Sequence, residues 1–314
     1  MDAAAALAAR GRPLARPNPA VGAIVVNAGR VVGRGWTRAG GRPHAEAEAL
    51  EQAGDAAAGA TVYVTLEPCA HTSTRGPSCT SLLLAAKPAR VAIGVTDPDP
   101  RTAGSGIAAL RAAGIEAEIV PTAAATASLS GYLLRMHQRR PHTTLKLATS
   151  LDGKIALPDG SSRWITGPEA RAHGHLERSR VDAILVGGET LRADSPRLDV
   201  RLPGLHARSP QRFVLTRGKA PDGWQRVAEA AAPDAFGTAQ HLMIEGGAGA
   251  AAAFLAADRV DRLLLYRAPV VIGDGRPCVG DIGLGSLGEA HGRWRLADRR
   301  LLGSDTLDVY ERTR

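Results

Sequence analysis

Short apolar runs alternate with alanine-rich amphipathic segments along the first 120 residues of the chain. Residues 20–26 and 31–36, on either side of the turn-like sequence Asn27-Ala28-Gly29, predict a β-hairpin. Further strands are predicted at 61–67, 90–95 and 115–120, and helices at 44–53, 81–87 and 107–114. Because strands alternate with helices, we expect an α/β domain with a partly parallel sheet.

A second series of apolar runs follows Pro141, at residues 143–156, 181–188, 211–216, 240–247 and 262–273. It shows no obvious repeat of the first series, and no Gly/Ser-rich linker separates the two. A chain of 314 residues exceeds the usual size of one domain. We therefore expect two abutting α/β domains, residues 1–140 and 141–314.

The composition disfavours two classes of function. The formal net charge is +8, but aromatic residues make up only 4% of the chain, and no dense basic run is interleaved with aromatics. We therefore expect no nucleic-acid partner. No window approaches eighteen uninterrupted apolar residues, so we expect no membrane span.

Cysteine usage bears on the compartment. The chain has three cysteines, Cys69, Cys79 and Cys278, and its N-terminal segment lacks the pattern of a secretory leader. An odd, low count indicates a reducing compartment rather than a disulfide scaffold. We expect a cytoplasmic protein in which Cys278 is a packed or partly exposed thiol without a role.

The sharpest chemical signal is the combination of His44-Ala45-Glu46 with Pro68-Cys69 and Cys79. Zinc prefers imidazole nitrogen and thiolate sulfur in a tetrahedral arrangement, and a catalytic zinc keeps one position for water. His44, Cys69 and Cys79 supply three ligands and leave that position open. Glu46, two residues from His44 at a predicted helix start, can then move the proton of the water without binding metal. The combination matches the zinc nucleobase-deaminase signature.

Each part of this pattern also has a simpler interpretation. A His-x-Glu sequence occurs by chance in many helices, and cysteines in α/β proteins are often buried as small apolar residues. Nine residues separate Cys69 from Cys79, where the signature has two, so residues 70–78 must form a loop. His71 and Arg75 are candidate substrate contacts on this loop, the alternative being that they are solvated.

Several motifs together resemble one enzyme family, the bifunctional riboflavin-biosynthesis deaminase/reductases. In the first half these motifs are residues 17–23, 44–46, 65–71, 97–100 and 103–106. In the second half they are residues 145–146, 150–154, 164–166 and 245–247. The resemblance covers nearly the whole chain, in order, and it implies a cytidine-deaminase-like α/β/α domain followed by a dihydrofolate-reductase-like α/β domain.

The resemblance implies two consecutive reactions. The first domain would deaminate 2,5-diamino-6-(5-phosphoribosylamino)pyrimidin-4-one with Zn²⁺. The second would reduce the ribosyl group of 5-amino-6-(5-phosphoribosylamino)uracil to a ribityl chain with NADPH. The partners would then be phosphoribosylated pyrimidines, and we expect a homo-oligomer, a dimer or a tetramer.

The resemblance also implies site residues. Asn18 would hydrogen-bond the pyrimidine, the alternative being an asparagine in a proline-flanked turn. In the second domain the implied catalytic residues are Lys146, Asp194 and Glu245. The implied substrate contacts are Ser162, Arg178, Leu198, Arg201 and Glu245, and the implied cofactor contacts are Ala148, Trp164, Thr190, Asp194 and Gly247.

The chain departs from this family between about residues 217 and 240. Only about two dozen residues separate the strand at 211–216 from the strand at 240–247. The family has a longer stretch there, with at least one further strand and helix that help to frame the cofactor site. An alternative is therefore a working deaminase joined to a degenerate reductase domain that serves as a structural or dimerising partner.

Overall fold

The computed structural model describes residues 1–71 and 73–314, so Thr72 in the loop between the two cysteines lies outside the described residues. The chain forms two compact units, residues 1–140 and 141–314. Both are α/β, which confirms the predicted fold class. In the described residues no helix is long and apolar enough to cross a membrane.

The first unit is a five-stranded sheet with helices. Its strands are β1 (Gly22–Asn27), β2 (Arg30–Trp36), β3 (Thr61–Leu66), β4 (Arg90–Val95) and β5 (Glu116–Ile119). Its helices are α1 (Asp2–Gly11), α2 (Ala45–Ala53), α3 (Cys79–Ala86), α4 (Ser105–Ala112), α5 (Ala123–Ser128) and α6 (Ser130–Gln138). The strand order is β2-β1-β3-β4-β5. The predicted hairpin is the antiparallel pair β1–β2, whereas β3, β4 and β5 run parallel.

The second unit is built on an eight-stranded sheet. Its strands are β6 (His142–Thr149), β7 (Lys154–Ala156), β8 (Ala183–Gly187), β9 (Gln211–Leu215), β10 (Gln225–Val227), β11 (His241–Glu245), β12 (Arg262–Arg267), β13 (Arg276–Pro277), β14 (Trp294–Leu302) and β15 (Asp305–Arg312). Its helices are α7 (Pro168–Arg178), α8 (Gly188–Asp194) and α9 (Ala248–Ala256). The order of the large sheet is β10-β9-β8-β11-β6-β12-β15-β14, and β7 pairs with β13.

Six neighbouring strands of the large sheet, from β10 to β12, are parallel, and β15 and β14 complete the sheet in antiparallel fashion. Apolar clusters cover both faces of the sheet: Leu185 and Phe213 belong to one, Met243 and Leu264 to the other. Residues 216–240 contain the short strand β10 but no helix. Phe236 packs there against Phe213, with ring centroids 5.1 Å apart.

Helix α2 lies directly on strand β2 because two glycines leave room for it. A Cβ atom on Gly33 would lie 2.0 Å from the carbonyl oxygen of Ala49, and one on Gly35 would lie 2.1 Å from that of Ala45. Ala45 and Glu46 belong to the first turn of α2. The Gly-x-Gly sequence of β2 therefore fixes the position of the helix that carries Glu46.

Replacing Gly35 by alanine should push α2 away from the sheet. Overpacking of this kind costs about 1–3 kcal/mol, so we expect Gly35→Ala to lower the free energy of unfolding of the first unit by about 2 kcal/mol or more. Urea titration read by hydrogen exchange of β1 and β3 amides measures this. Gly249→Ala is the control, because nothing lies within 4 Å of the added methyl group there. Equal stability of the two variants would contradict the close packing.

Candidate active sites

Three metal-ligating side chains of the first unit converge. His44 lies immediately before α2, Cys69 follows β3, and Cys79 is the first residue of α3. The Nδ1 atom of His44 lies 3.3 Å from the Sγ atom of Cys79 and 3.6 Å from that of Cys69. All three ligand atoms lie within 4.8 Å of one another. Tetrahedral zinc with usual bond lengths separates sulfur from nitrogen by about 3.6 Å, so the donor set fits zinc.

The start of α3 holds the two cysteines together. The backbone N–H of Cys79 donates to the Sγ atom of Cys69 at 3.3 Å, and the N–H of Thr80 donates to the carbonyl oxygen of Cys69. Ser78 caps the helix by accepting from the N–H of Ser81. A hydrogen bond with the Cys79 side chain, assisted by those of the His44 ring and the Cys79 backbone N–H, lowers the pKa of the Cys69 thiol to about 4, which favours the thiolate form that binds metal. The helix terminus, not the loop, therefore determines the geometry of the cysteines.

Glu46 lies beside this cluster, in the wall of a cavity of about 370 Å³ that is also lined by His44 and Cys69. Its side chain is buried, and burial raises its pKa to about 7. A carboxyl group with a pKa near neutrality can both accept and release a proton. The arrangement provides three metal ligands and one group suited to proton transfer.

Asn18 lies against the metal cluster. Its side-chain amide is 3.1 Å from Nε2 of His44, and Nδ2 donates to the carbonyl oxygen of Gly41 at 3.3 Å. A histidine that binds metal through Nδ1 carries its proton on Nε2, and Nδ2 of Asn18 is also a donor, so the amide, held by Gly41, packs against the edge of the His44 ring without a hydrogen bond to it. The same side chain lines the cavity.

Buried acidic residues also line the cavity. Glu67, directly after β3, accepts hydrogen bonds from the backbone N–H groups of Asp97, Gly104 and Ile107. Asp97, just beyond β4, accepts a 2.7 Å hydrogen bond from the hydroxyl group of Tyr132. Burial raises the pKa of Asp97. Glu67 therefore holds the loop that places Asp97 in the cavity.

The loop between the cysteines is connected to the segment before His44 by two arginines. Arg75 donates to the carbonyl oxygen of Gly40 at 2.8 Å, and Arg42 donates to that of Pro77 at 3.3 Å. The ring of His71 lies 3.4 Å from the hydroxyl group of Thr102. The same cavity is lined by His71, Arg75 and Arg42.

The second unit contains a cavity of about 510 Å³ next to the parallel strands. Lys146 on β6 and Glu245 on β11 are directly paired in register, and Tyr266 on β12 pairs with Ala148. Their side chains line the cavity. The Nζ atom of Lys146 lies 3.8 Å from Oε2 of Glu245 and 5.7 Å from the centroid of the Tyr266 ring.

Arg178 of α7 holds Glu245 in place. Its Nε and Nη2 atoms donate to the two carboxylate oxygens at 2.5 and 2.8 Å, and Nη1 donates to the carbonyl oxygen of Asp199. Burial alone would raise the pKa of Glu245, but the positive charges of Arg178 and Lys146 outweigh it and lower the pKa to about 2. Glu245 is thus a permanently charged group beside Lys146.

Further polar and aromatic side chains surround this cavity. The cavity is also lined by Ser162, Trp164, Arg171, His175 and Arg201. Trp164 is 66% exposed, and the guanidinium group of Arg171 lies 5.0 Å from the centroid of its ring. His175 accepts a hydrogen bond from the backbone N–H of Arg201 at 3.3 Å. The charged side chains of the cavity wall are therefore mainly cationic, with Glu245 as the buried anion.

Four predicted residues of this unit lie outside that cavity lining. Gly247 lies at the start of α9 with φ +75°. Thr190 packs closely against it, since a Cβ atom on Gly247 would lie 2.6 Å from the threonine hydroxyl oxygen. Asp194 is exposed at the end of α8. Leu198 is buried in the apolar cluster.

Two family models match the chain. Residues 1–95 match the cytidine and deoxycytidylate deaminase zinc-binding region. Residues 141–241 and 235–307 match the RibD C-terminal domain, and the two segments meet at the end of the shortened stretch. The RibD protein of Aquifex aeolicus is 35% identical, over 92% of this chain and 91% of its own length. This chain belongs to the RibD family.

Other RibD proteins cover both units equally well. The relative from Escherichia coli is 34% identical over 97% of this chain and 96% of its own length. The structure of Acinetobacter baumannii RibD superimposes with a TM-score of 0.89 and 32% identity, covering 100% of this chain and 98% of that one. A deaminase/reductase structure from Thermotoga maritima gives a TM-score of 0.86 at 28% identity, with coverage of 100% and 97%.

RibD membership confirms the bifunctional deaminase/reductase of riboflavin biosynthesis that the motifs predicted. Each unit matches a family model, so the alternative of a deaminase joined to a degenerate reductase domain is not favoured. The structure brings His44, Glu46, Cys69 and Cys79 together, and it places Lys146 beside Glu245.

Sequence reasoning assigned no role to some residues of both cavities. Glu67, Asp97 and Tyr132 line the first, and Tyr266 lines the second. Glu67 and Asp97 each follow a buried strand. A polar residue directly after a predicted buried strand is the sequence signal that could have identified both as site residues.

The Arg178–Glu245 pair should stabilise the second unit. The pKa of Glu245 is lower in the folded than in the unfolded chain, so the stabilisation is present above pH about 4.5 and is lost as the pH falls towards 2. Because Arg178→Met leaves a buried carboxylate without its partner, it should cost about 3 kcal/mol at pH 7 and less at pH 3. Urea titration read by hydrogen exchange of β6 and β11 measures this.

Arg197→Met is the matched control for that experiment. Arg197 also pairs with a carboxylate, that of Asp199, but it is 77% exposed. Exposed pairs contribute about 0–1 kcal/mol, so the control should change stability little at either pH. A loss for Arg178→Met no larger than that of the control would contradict the assigned role.

Proposed function

We propose that the first unit deaminates 2,5-diamino-6-(5-phosphoribosylamino)pyrimidin-4-one and that the second reduces the resulting 5-amino-6-(5-phosphoribosylamino)uracil with NADPH. The observation that carries the proposal is the cluster of His44, Cys69 and Cys79 beside the buried carboxyl group of Glu46, in one cavity. The Thermotoga maritima relative is a diaminohydroxyphosphoribosylaminopyrimidine deaminase/5-amino-6-(5-phosphoribosylamino)uracil reductase, which supports the choice of substrates.

His44, Cys69 and Cys79 would hold Zn²⁺ in the deaminase unit. When bound there, zinc lowers the pKa of water and supplies a nucleophile near neutral pH. Glu46 would take one proton from the attacking water and deliver it to the ring nitrogen, and would then carry the second proton of that water, from the added hydroxyl group, to the amine that leaves as ammonia. The walls of the cavity shield this transfer from bulk solvent, since Glu46 is buried.

Substrate binding in this unit falls to the residues at the cavity mouth. Asn18 lines the cavity next to His44 and presents an amide that can pair with the pyrimidine edge. His71 and Arg75, on the loop between the cysteines, can donate to the phosphoribosyl chain. These roles rest on placement and on the chemistry of the side chains.

In the reductase unit, Lys146 is the proposed proton donor to the sugar oxygen, and Glu245 orients it and binds sugar hydroxyls. Arg201, whose nearest carboxylate oxygen lies 3.6 Å away on Asp199, can hold the 5-phosphate, whereas Arg178 is engaged with Glu245. Ser162 contributes a hydroxyl group to the same cavity, and Leu198, buried in an apolar cluster outside the cavity lining, is the remaining proposed substrate contact.

NADPH would lie along the ends of the same strands. Ala148 and Trp164 line the cavity, and Gly247 with Thr190 forms the turn into α9, where backbone N–H groups can approach a diphosphate. Asp194 is the remaining proposed contact, at the end of α8.

A cytoplasmic location and a homo-oligomeric state, dimer or tetramer, stay predictions. The described cysteines are free thiols, which suits a reducing compartment.

Glu46→Gln should keep zinc and lose ammonia release. Glutamine has nearly the same shape but cannot accept the proton, so we expect the rate to fall by about 100-fold or more, with zinc content near one per chain. Metal analysis and an ammonia assay measure the two effects. Cys79→Ser is the comparison, since removal of a ligand should lower the zinc content itself. Normal deamination by Glu46→Gln would contradict the proton-transfer role.

A coupled assay on the purified chain tests the whole proposal. The diaminopyrimidine ribotide and NADPH are supplied, and ammonia release and loss of nicotinamide absorbance are followed separately. We expect both signals, with ammonia release first, because the reductase consumes the deaminated product. Ammonia without NADPH oxidation would leave a deaminase with an inactive second unit, and neither signal would contradict both assignments.

A further inference from the structure

The ring of Tyr266 contacts two polar side chains of the second unit. The Nζ atom of Lys146 lies 5.7 Å from the ring centroid, within the reach of a cation–π contact. The Tyr266 hydroxyl oxygen lies 2.8 Å from Nδ1 of His173 on α7. Tyr266 lines the cavity of this unit and is 1% exposed, whereas His173 lies outside the cavity lining. The tyrosine therefore connects a residue behind the cavity wall to the lysine inside the cavity.

Strand pairing brings the Tyr266 ring next to Lys146. Tyr266 on β12 pairs with Ala148 on β6, and Lys146 lies two residues before Ala148. Alternate residues of a strand face the same side of the sheet, so the lysine and the tyrosine are neighbours on the cavity face. On the other side of β6, Oε2 of Glu245 on β11 lies 3.8 Å from the lysine Nζ atom. The ammonium group thus has one partner on each neighbouring strand.

The protonation states of Tyr266 and His173 determine the direction of their hydrogen bond. Burial raises the pKa of Tyr266, so the hydroxyl group keeps its proton. Burial also lowers the pKa of His173 from its ordinary value of 6.5, so the ring is neutral at pH 7. A neutral ring with its proton on Nε2 offers Nδ1 as an acceptor. Near neutral pH the tyrosine therefore donates to the histidine.

Four charged side chains act on the His173 ring. Glu177, one turn further along α7, raises the pKa of His173. Its carboxylate is already paired with Arg180 at 2.5 Å and with Arg262 on β12 at 2.9 Å. These two arginines and Arg300 on β14 lower the histidine pKa. The three cations therefore act together with burial to keep the ring neutral.

Resting on the reductase function proposed above, we propose that Tyr266 and His173 form a positioning pair that holds the ammonium group of Lys146 for proton donation to the sugar oxygen. Tyr266 supplies the ring on the side of Lys146 away from Glu245, and His173 holds that ring by accepting from its hydroxyl group. A protonated His173 has no acceptor at Nδ1, so the hydrogen bond is lost when the ring gains a proton. The reductase reaction therefore loses rate on the acid side, below pH about 6.5, as His173 titrates.

NMR of the full chain without nucleotide or substrate tests the hydrogen bond itself. Long-range nitrogen–proton spectra of the histidine rings report the tautomer and the pKa of each ring, and His173→Asn assigns the signal. We expect a neutral His173 ring with its proton on Nε2 at pH about 7.5, and a changed titration in Tyr266→Phe. A ring that is protonated at that pH, or that carries its proton on Nδ1, would overturn the pair.

His173→Asn is the most informative variant for kinetics. The side-chain oxygen of asparagine can take the place of Nδ1 as an acceptor, but it does not titrate. NADPH oxidation with 5-amino-6-(5-phosphoribosylamino)uracil is followed from about pH 5 to about pH 8. We expect His173→Asn to keep kcat within about twofold at neutral pH and to lose the fall in rate on the acid side. A fall that this variant keeps belongs to another group, such as the substrate phosphate, and would overturn the proposal.

Removal of the hydrogen bond should lower kcat rather than binding. For Tyr266→Phe and for His173→Leu we expect kcat to fall by about tenfold, with KM changed less than about twofold, because a displaced ammonium group slows proton donation. The double variant should lose no more than either single one, since both changes remove the same contact. Additive losses would contradict a shared role.

Two controls separate this inference from effects on folding and from the reductase function. Ammonia release by the first unit of the same chain should not change in any variant, and His206→Asn, at an exposed histidine of the second unit, should leave both reactions unchanged. If the unaltered chain oxidises NADPH but the variants follow none of these patterns, the pair is wrong and the reductase stands. If the unaltered chain does not oxidise NADPH, the reductase function is contradicted and the positioning role with it.

Discussion

Parallel alignment of neighbouring strands determines where the chemistry of each unit lies. In the first unit β3 and β4 run parallel, so Cys69 and Asp97, which follow them, leave the sheet at the same edge. In the second unit Lys146 and Glu245 are paired across β6 and β11. Side chains far apart in sequence meet at these edges because the strand direction brings their positions together. Helices add one further side chain to each site: α2 carries Glu46 and α7 carries Arg178.

Two buried glutamates show how the surroundings assign a role to one residue type. At Glu245 the charges of Arg178 and Lys146 outweigh burial, and the carboxyl group has a pKa of about 2. At Glu46 burial dominates, and the pKa rises to about 7. The first group is therefore a fixed charge that orients a lysine, and the second can exchange a proton. The sequence alone does not distinguish these roles, because it shows only a glutamate at the end of a strand, Glu245, and a glutamate at a helix start, Glu46.

Local patterns predicted the parts of the fold that local physics controls. The alternation of strands and helices, the β1–β2 hairpin and the run that becomes α2 were read from periodicity and turn residues. Strand β14 was not predicted, because six of its nine residues are exposed and four are charged, so no run of apolar residues marks it. The Arg178–Glu245 pair, 67 residues apart, and the hydrogen bond of Tyr132 to Asp97 depend on tertiary packing, which no local pattern encodes.

The chain departs from the zinc-deaminase signature in its cysteine spacing and from the family pattern in the shortened stretch, and both departures are tolerated for physical reasons. Nine residues between Cys69 and Cys79 leave the ligand geometry intact because the end of β3 and the start of α3 define it, and loop length adds little to the free energy of closure. In the shortened stretch, Val227 and Phe236 join the apolar cluster and close the core next to β9. The second unit therefore keeps a closed core despite the shortening, and the Arg178–Glu245 pair keeps the carboxylate in place beside Lys146.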